Sequence, residues 1–269
     1  MIRTGLIINP VVGFKSGINY WQVAPGPTDS IYTKDTVADV NTFFQTALST
    51  SDDYTPYDGY NFDLNDAAVP GFFNGTGTYL QSMSGSSTVE SPHGRAALQV
   101  SGGSTEYWYT HVNEYDMATD PFAFIARLKV TAKPVFDQPW LTHDNAASPH
   151  YSSYITTAGY LKVGAKQSGP ETNVAGTVDI SDSAWRWVMF GRSTAAEKLW
   201  CATPTEEVET AFASTVNLTP FTPKPLIFGT ATSGGQGVVD CELDHLLIFK
   251  GTAAENVYTN YSDIFRVLD

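Results

Sequence analysis

Two carboxylates two residues apart, Glu242 and Asp244, lie in the apolar run Cys241-Glu242-Leu243-Asp244-His245-Leu246-Leu247-Ile248-Phe249. On a β-strand, residues i and i+2 project from one face, so this pair would share a surface. Paired carboxylates are what glycoside hydrolysis uses as nucleophile and acid/base. A second acidic cluster, Glu206-Glu207-Val208-Glu209, stands between Pro204 and a Thr/Pro-rich stretch and reads as a solvated loop. The 5 histidines show no tight ligand spacing, which argues against zinc. No G-x-S-x-G, H-E-x-x-H or phosphate-loop pattern occurs. Sugar recognition asks for other residues: flat rings for the apolar faces of the sugar and polar groups for its hydroxyls. Trp140, Tyr151, Tyr154, Tyr107 and Trp108 lie in or beside expected loops and are the candidates for that role.

Short strands must position these groups. In Trp185-Arg186-Trp187-Val188-Met189-Phe190, alternation places Trp185, Trp187 and Met189 on one sheet surface and Val188 and Phe190 on the other. Lys198 to Ala202, Pro225 to Phe228 and Leu243 to Phe249 are further branched or aromatic runs closed by Gly, Pro or polar turns. Phe122 to Val130 alternates, as do Ala96 to Val100 and the start of a strand at Tyr107-Trp108-Tyr109. Tyr151 to Ile155 and Tyr160 to Gly164 read as a hairpin around Thr157-Ala158-Gly159. Asp137 to Ser148 reads as a loop carrying Trp140, His143 and Asp144. Leu6-Ile7-Ile8 reads as a strand, and Phe72 to Gly77 as a Gly-punctuated loop.

Before residue 60 the pattern changes. Val37, Val40, Phe43, Phe44, Ala47 and Leu48 recur at helical spacing after Asp35-Thr36, and Ser49-Thr50-Ser51 ends the run. The apolar stripe of that helix must cover either the strands of its own chain or another chain. At the other end, Ala253 to Tyr261 reads as a short helix, followed by an apolar end, Ile264, Phe265, Val267 and Leu268, that docks.

The order of these elements from Asp182 to Lys250 resembles the laminin-G-like, concanavalin-A-like jelly-roll domain. A Trp-led strand (Trp185 to Phe190) leads by a hairpin to Leu199-Trp200-Cys201-Ala202. Ile227-Phe228-Gly229, the loop Gly234-Gly235-Gln236-Gly237 and the last strand Val239 to Phe249 follow. The chain departs from the family at Thr203-Pro204, where an Asp-Gly turn is usual, and at His245, where a Glu is usual. The resemblance covers about residues 60 to 250. It implies an all-β, antiparallel jelly-roll β-sandwich over 60–252, with an N-terminal extension (1–59) containing one helix and a C-terminal helical tail (253–269). Laminarinase-type hydrolases of this fold carry E-x-D-x-x-E on one strand, and here Leu247 takes the third position. The implied role is therefore non-catalytic, and no cofactor is expected. Some members hold a rim calcium ion by Asp side chains and carbonyls; Asp137, Asp144 and Asp240 are the ligands the resemblance suggests here.

A net charge of −13 excludes a phosphate-backbone partner held by Lys and Arg, and docking on anionic membrane by charge. No run approaches the roughly twenty apolar residues that span a bilayer. The N-terminal MIRTGLIINPVVGF reads as a mature terminus rather than a signal peptide. The 2 cysteines, Cys201 and Cys241, read as buried thiols, a disulfide being the alternative. In style the whole chain is similar to bacteriophage structural proteins that carry such a sandwich on a capsid or tail. That likeness implies a virion accessory or decoration protein, oligomeric within a larger assembly. Residues 1–59 would bind other virion proteins, and the sandwich would be displayed for adhesion to host-surface polysaccharide. The alternative is a carbohydrate-binding module of a secreted or cell-surface, extracellular protein. A glycoside hydrolase of the same fold comes third.

Overall fold

Alternation along the central strands builds the architecture. The computed structural model describes residues 14–15, 18–19, 30–34, 36–61, 68–70, 79–82, 87–90, 96–100, 107–110, 115–143, 149–221, 224–229 and 239–268. The expected strand at Leu6–Ile8 and the loop at Phe72–Gly77 lie outside the described residues. A small ladder joins β1 (Phe14–Lys15) to β2 (Ile18–Asn19). After a single 3-10 turn at Ile31–Thr33 and helix α1 (Val37–Leu48) come β3 (Asp58–Asn61), β4 (Ala68–Pro70), β5 (Tyr79–Ser82) and β6 (Ser87–Glu90). Next are β7 (Ala96–Val100), β8 (Tyr107–Tyr109), β9 (Phe122–Val130), β10 (Gln138–His143) and β11 (His150–Ile155). Then follow β12 (Tyr160–Lys166), β13 (Thr172–Asp179), β14 (Trp185–Ser193), β15 (Lys198–Thr203) and β16 (Glu206–Ala211). β17 (Leu226–Gly229), β18 (Cys241–Lys250) and helix α2 (Thr252–Leu268) complete the order.

Two antiparallel sheets face each other. The first runs β16-β15-β14-β9-β18-β7-β6, with β3 also paired to β18; the second runs β13-β12-β11-β10-β17-β8-β5-β4. Their inner faces share one apolar core that includes Phe124, Leu128, Val188, Phe190, Leu246 and Ile248 from the first sheet. Trp140, Tyr151, Val163 and Phe228 enter it from the second. β18 stays in phase through a bulge. Leu243 and Leu246 are three apart, so strict alternation would send them to opposite faces, yet both enter this core. The register against β9 slips between Leu243 and His245, and the extra residue restores the inward set.

The first sheet is buried on its outer face too. Trp187, Met189, Ile125, Leu247 and Phe249 form a second core there with Val40, Phe43 and Phe44 of α1 and Val257, Ile264 and Phe265 of α2. This explains why β9, β14 and β18 read as almost continuous apolar runs. The stripe of α1 thus covers its own sheet. Thr36 caps the helix by accepting from the Asp39 N–H at 3.1 Å, and Ser49 ends it in the left-handed region at φ 53.

β3 spans the expected division at 59/60, and the segment after α1 feeds straight into the first sheet. Three expected local structures are corrected. Glu206–Ala211 is an edge strand, not a loop: β15 supplies its hydrogen bonds, so it needs no apolar run of its own. Gln138–His143 is a strand between β11 and β17. The C-terminal helix extends past Tyr261 to Leu268, with a kink at Asn260 where φ is −113 and ψ 17. Both cysteines are buried free thiols in the inter-sheet core. No helix among the described residues is long and apolar enough to cross a membrane.

One buried cation ties loops to the first sheet. Arg192, at 0% exposure, donates to the carbonyls of Val216 (2.7 Å), Ser214 (2.5 Å), Ala213 (3.1 Å) and Ala118 (3.4 Å). Its guanidinium also lies over the Phe212 ring. Truncation would strand the four carbonyl acceptors that Nη1 and Nη2 hold, in a site where the side chain is fully buried. Arg192→Ala is expected to destabilise the fold by about 3 kcal/mol or more, with Arg192→Lys recovering only part. Urea titration of the three proteins checks this; a loss under about 1 kcal/mol would mean that the loop re-hydrates freely.

Candidate glycan-binding face

Only the second sheet has an outer face without a helix layer among the described residues, since both helices pack on the first. Register brings one residue from each of six strands into a row across that face: Tyr109, Ile227, Thr142, Ser152, Gly164 and Asn173. Their sequence neighbours Phe228, Tyr151, Val163 and Val174 point to the core, so the row points outward. Thr142 and Ser152 are buried and share a hydroxyl hydrogen bond of 2.5 Å.

Beside this row the face carries a polar cluster. β11 presents His150 and Tyr154 on either side of Ser152, and β12 presents Lys162 opposite Tyr154 and Lys166 opposite His150. Glu171, just before β13, reaches back over Gly164. A Cβ at Gly164 would stand 2.5 Å from the Glu171 Cδ, so glycine is what makes room for the carboxylate. Glu171 Oε1 accepts the Tyr154 hydroxyl at 2.9 Å and lies 3.2 Å from His150 Nε2, which donates in the tautomer protonated there. No described residue donates to Oε2. Lys162 closes the group: its Nζ lies 5.2 Å from the Tyr154 ring centroid and 3.0 Å from Asp137 Oδ2.

Burial opposes ionisation of Glu171, but the bonds from His150 and Tyr154, with the charges of His150 and Lys162, hold its pKa below the usual carboxylate value. Burial first, and then the Glu171 charge, push the Tyr154 phenol well above its ordinary range. A phenol so reluctant to ionise donates a hydrogen bond; it does not act as a nucleophile. The cluster can therefore orient and accept, offering a fixed anionic acceptor beside a half-buried ring.

The aromatic candidates divide by face. Tyr154 belongs to this cluster. Trp140 and Tyr151 do not reach the surface: both lie in the inter-sheet core, at 0% and 1% exposure. The Trp140 indole N–H donates to Ser153 Oγ at 2.8 Å, and the Tyr151 hydroxyl donates to the Tyr115 carbonyl at 2.9 Å. Neither can serve as an exposed platform, because β10 and β11 turn these side chains inward. Tyr107 and Trp108 stand on β8 opposite Gly229 and Phe228; their side chains lie outside what is described. The residues missed were Glu171, His150, Lys162 and Gly164. Alternation within His150–Ile155 would have found His150 as a partner of Tyr154.

The acidic candidates are engaged elsewhere. Glu242 accepts from Lys129 Nζ at 3.0 Å to both oxygens, and Asp244 accepts from Arg127 at 2.5 Å. Each carboxylate is neutralised by a cation on β9, and Lys129 and Arg127 both lie near the Trp185 ring. Asp137 Oδ1 takes the Thr157 N–H while Oδ2 takes Lys162. Asp240 gives its backbone carbonyl to the Thr131 N–H and hydroxyl. Asp144 lies outside the described residues. No group of three or more His, Cys, Asp or Glu among the described residues is placed to hold a metal ion. A surface cleft of about 490 Å³ borders Gly251 and Glu255. Its one charged group, Glu255, is occupied by Ser193 Oγ, the Thr194 N–H and hydroxyl, and the Ala195 N–H.

No protein-family model matches the chain, and no curated protein matches it. Among solved structures, it is similar to the binding domain of Paraclostridial Mosquitocidal Protein 1. That match has a TM-score of 0.60 and 11% identity, and covers 77% of this chain and 52% of that one. The binding domain of Botulinum neurotoxin DC, solved in complex with rat synaptotagmin II, matches with a TM-score of 0.60 and 12% identity over 80% of this chain and 52% of that one. Trypanosoma rangeli sialidase in complex with sialic acid matches with a TM-score of 0.53 and 10% identity over 76% of this chain and 32% of that one. The chain spans about half the length of the two toxin domains, at 52% of each. At such identities the likeness is one of fold, a two-sheet β-sandwich.

Proposed function

We propose that the chain is a non-catalytic adhesion protein whose second sheet binds glycan through Tyr154, Glu171 and His150, displayed on a virus particle. The observation that supports the binding role most directly is the Glu171 carboxylate. It is fixed through one oxygen by two donors, and among the described residues the other oxygen has no donor and this sheet face carries no helix. A carboxylate acceptor beside an aromatic ring matches the mixed polar and apolar surface of a sugar. Display is supported by the one-sided fold, in which the helix layer is free to face a carrier. The non-catalytic reading is supported by the two salt bridges that occupy Glu242 and Asp244.

The test is binding to a printed panel of neutral and acidic oligosaccharides. Tyr154→Ala and Glu171→Ala are each expected to weaken the strongest signal at least tenfold, while Arg186→Ala, on the opposite sheet, leaves it unchanged. Equal binding by all four proteins would overturn the site. Sedimentation addresses the carrier: the chain should travel with particles, and recovery solely as a free monomer would overturn display.

A further inference from the structure

We infer that Glu171 makes this face selective for neutral glycans and excludes those that carry a carboxylate or sulfate at the contacting sugar; the inference rests on the site proposed above. The geometry leaves little choice of ligand chemistry. Oε1 is taken by the Tyr154 hydroxyl and by His150 Nε2, so the carboxylate can neither turn away nor exchange its oxygens. Gly164 beneath it gives the group its place on the sheet surface. Oε2 is left as an acceptor with no donor among the described residues. An ionised carboxylate has acceptor sites and no proton to give. It therefore takes hydroxyl donors and repels an anionic group brought to the same spot, a juxtaposition that costs far more in a half-buried site than in water.

The nearby cations do not reverse this. His150 Nε2 is spent on Glu171 Oε1 itself, 3.2 Å away. Lys162 Nζ is already paired with Asp137 Oδ2 at 3.0 Å, so its charge is largely matched within the face. Lys166, opposite His150, is the cation an acidic sugar would have to use. The preference is therefore written in Glu171, and a single isosteric change should erase it. Glutamine keeps the shape, removes the charge and supplies a donor.

The experiment compares N-acetyllactosamine with its sialylated form, titrated against the full chain and against Glu171→Gln, Tyr154→Ala and Lys166→Ala. The unaltered protein is expected to bind the neutral form at least tenfold more tightly. Glu171→Gln should bring the two within about threefold by strengthening the sialylated form, and Tyr154→Ala should weaken both. Equal or tighter binding of the sialylated form, with loss of both in Tyr154→Ala, would keep the site and overturn the selectivity. So would a sialylated signal that disappears in Lys166→Ala. A neutral preference untouched by Glu171→Gln would remove Glu171 as its cause. Binding of either glycan that ignores Tyr154 and Glu171 alike would overturn the site itself.

Discussion

A chain beginning at residue 58 is expected not to fold into a soluble monomer. The segment removed contains Ile31, Val40, Phe43, Phe44 and Tyr54, each 5% exposed or less. Burial of a large apolar side chain is worth about 1.5–3 kcal/mol, so these five contribute on the order of 10 kcal/mol, comparable to the whole stability of a typical domain. The loss is double, because Met189, Leu247 and Phe249 would then face water as one apolar patch. Polar links go as well: Asn256 Nδ2 donates to the Asp53 carbonyl at 2.9 Å, and the Tyr54 N–H donates to Asn41 Oδ1 at 2.7 Å. Size-exclusion chromatography and circular dichroism of the shortened chain check this. A monomer with native strand content would mean that the sandwich stands without its helix cover, and that residues 1–57 are free for attachment alone.

Gly191→Ala is expected to be the most damaging single methyl in the first sheet. Gly191 lies opposite Ala123 on β9 and Trp200 on β15. A Cβ there would collide with the Phe122 carbonyl oxygen and stand 2.9 Å from Ala123 Cα. Both obstacles are backbone, and β9 is held on its far side by β18 through nine residue pairs from Cys241 to Lys250. Neither side can give way as a flexible side chain would. A loss of more than about 3 kcal/mol follows, toward the upper end for overpacked interiors. Thermal unfolding should show a midpoint lowered by about 10 °C, taking roughly 2–4 °C per kcal/mol for a chain of this size. A shift under 3 °C would show that the β9–β14 ladder can part locally.

Strands buried on a periodic face were legible without coordinates. Trp187 and Met189 fall on one side of β14, Val188 and Phe190 on the other, as alternation requires. α1 was equally clear, since its stripe and its Thr36 cap agree. Edge strands were not. β13 alternates only weakly between exposed and intermediate residues, and half of β16 is glutamate, so each is defined by the partner it finds. β10 was hidden by Pro139 and by a register shift between Pro139 and Leu141, which sends Trp140 and Leu141 both into the core. The site suffered from the same cause. Tyr151 and Tyr154 are three apart, an odd offset on a strand, so one must be inside when the other is outside. Glu171 was invisible, because it joins the cluster from a connection whose register with β12 no local pattern announces.

The indole of Trp187 meets both the turn before α1 and the last residue of α2. The Tyr32 ring lies tilted against it at 5.8 Å, and the Trp187 Nε1–H donates to the Leu268 carbonyl at 3.1 Å. A tether fused after residue 268 therefore leaves from the helix-bearing side and cannot shadow the Tyr154 face. For a chain captured on a sensor surface by that tether, the glycan-reading sheet should point into the flow. The loss of emission on Trp187→Phe, compared for free and anchored chain, should report whether anchoring has pried α2 from this indole.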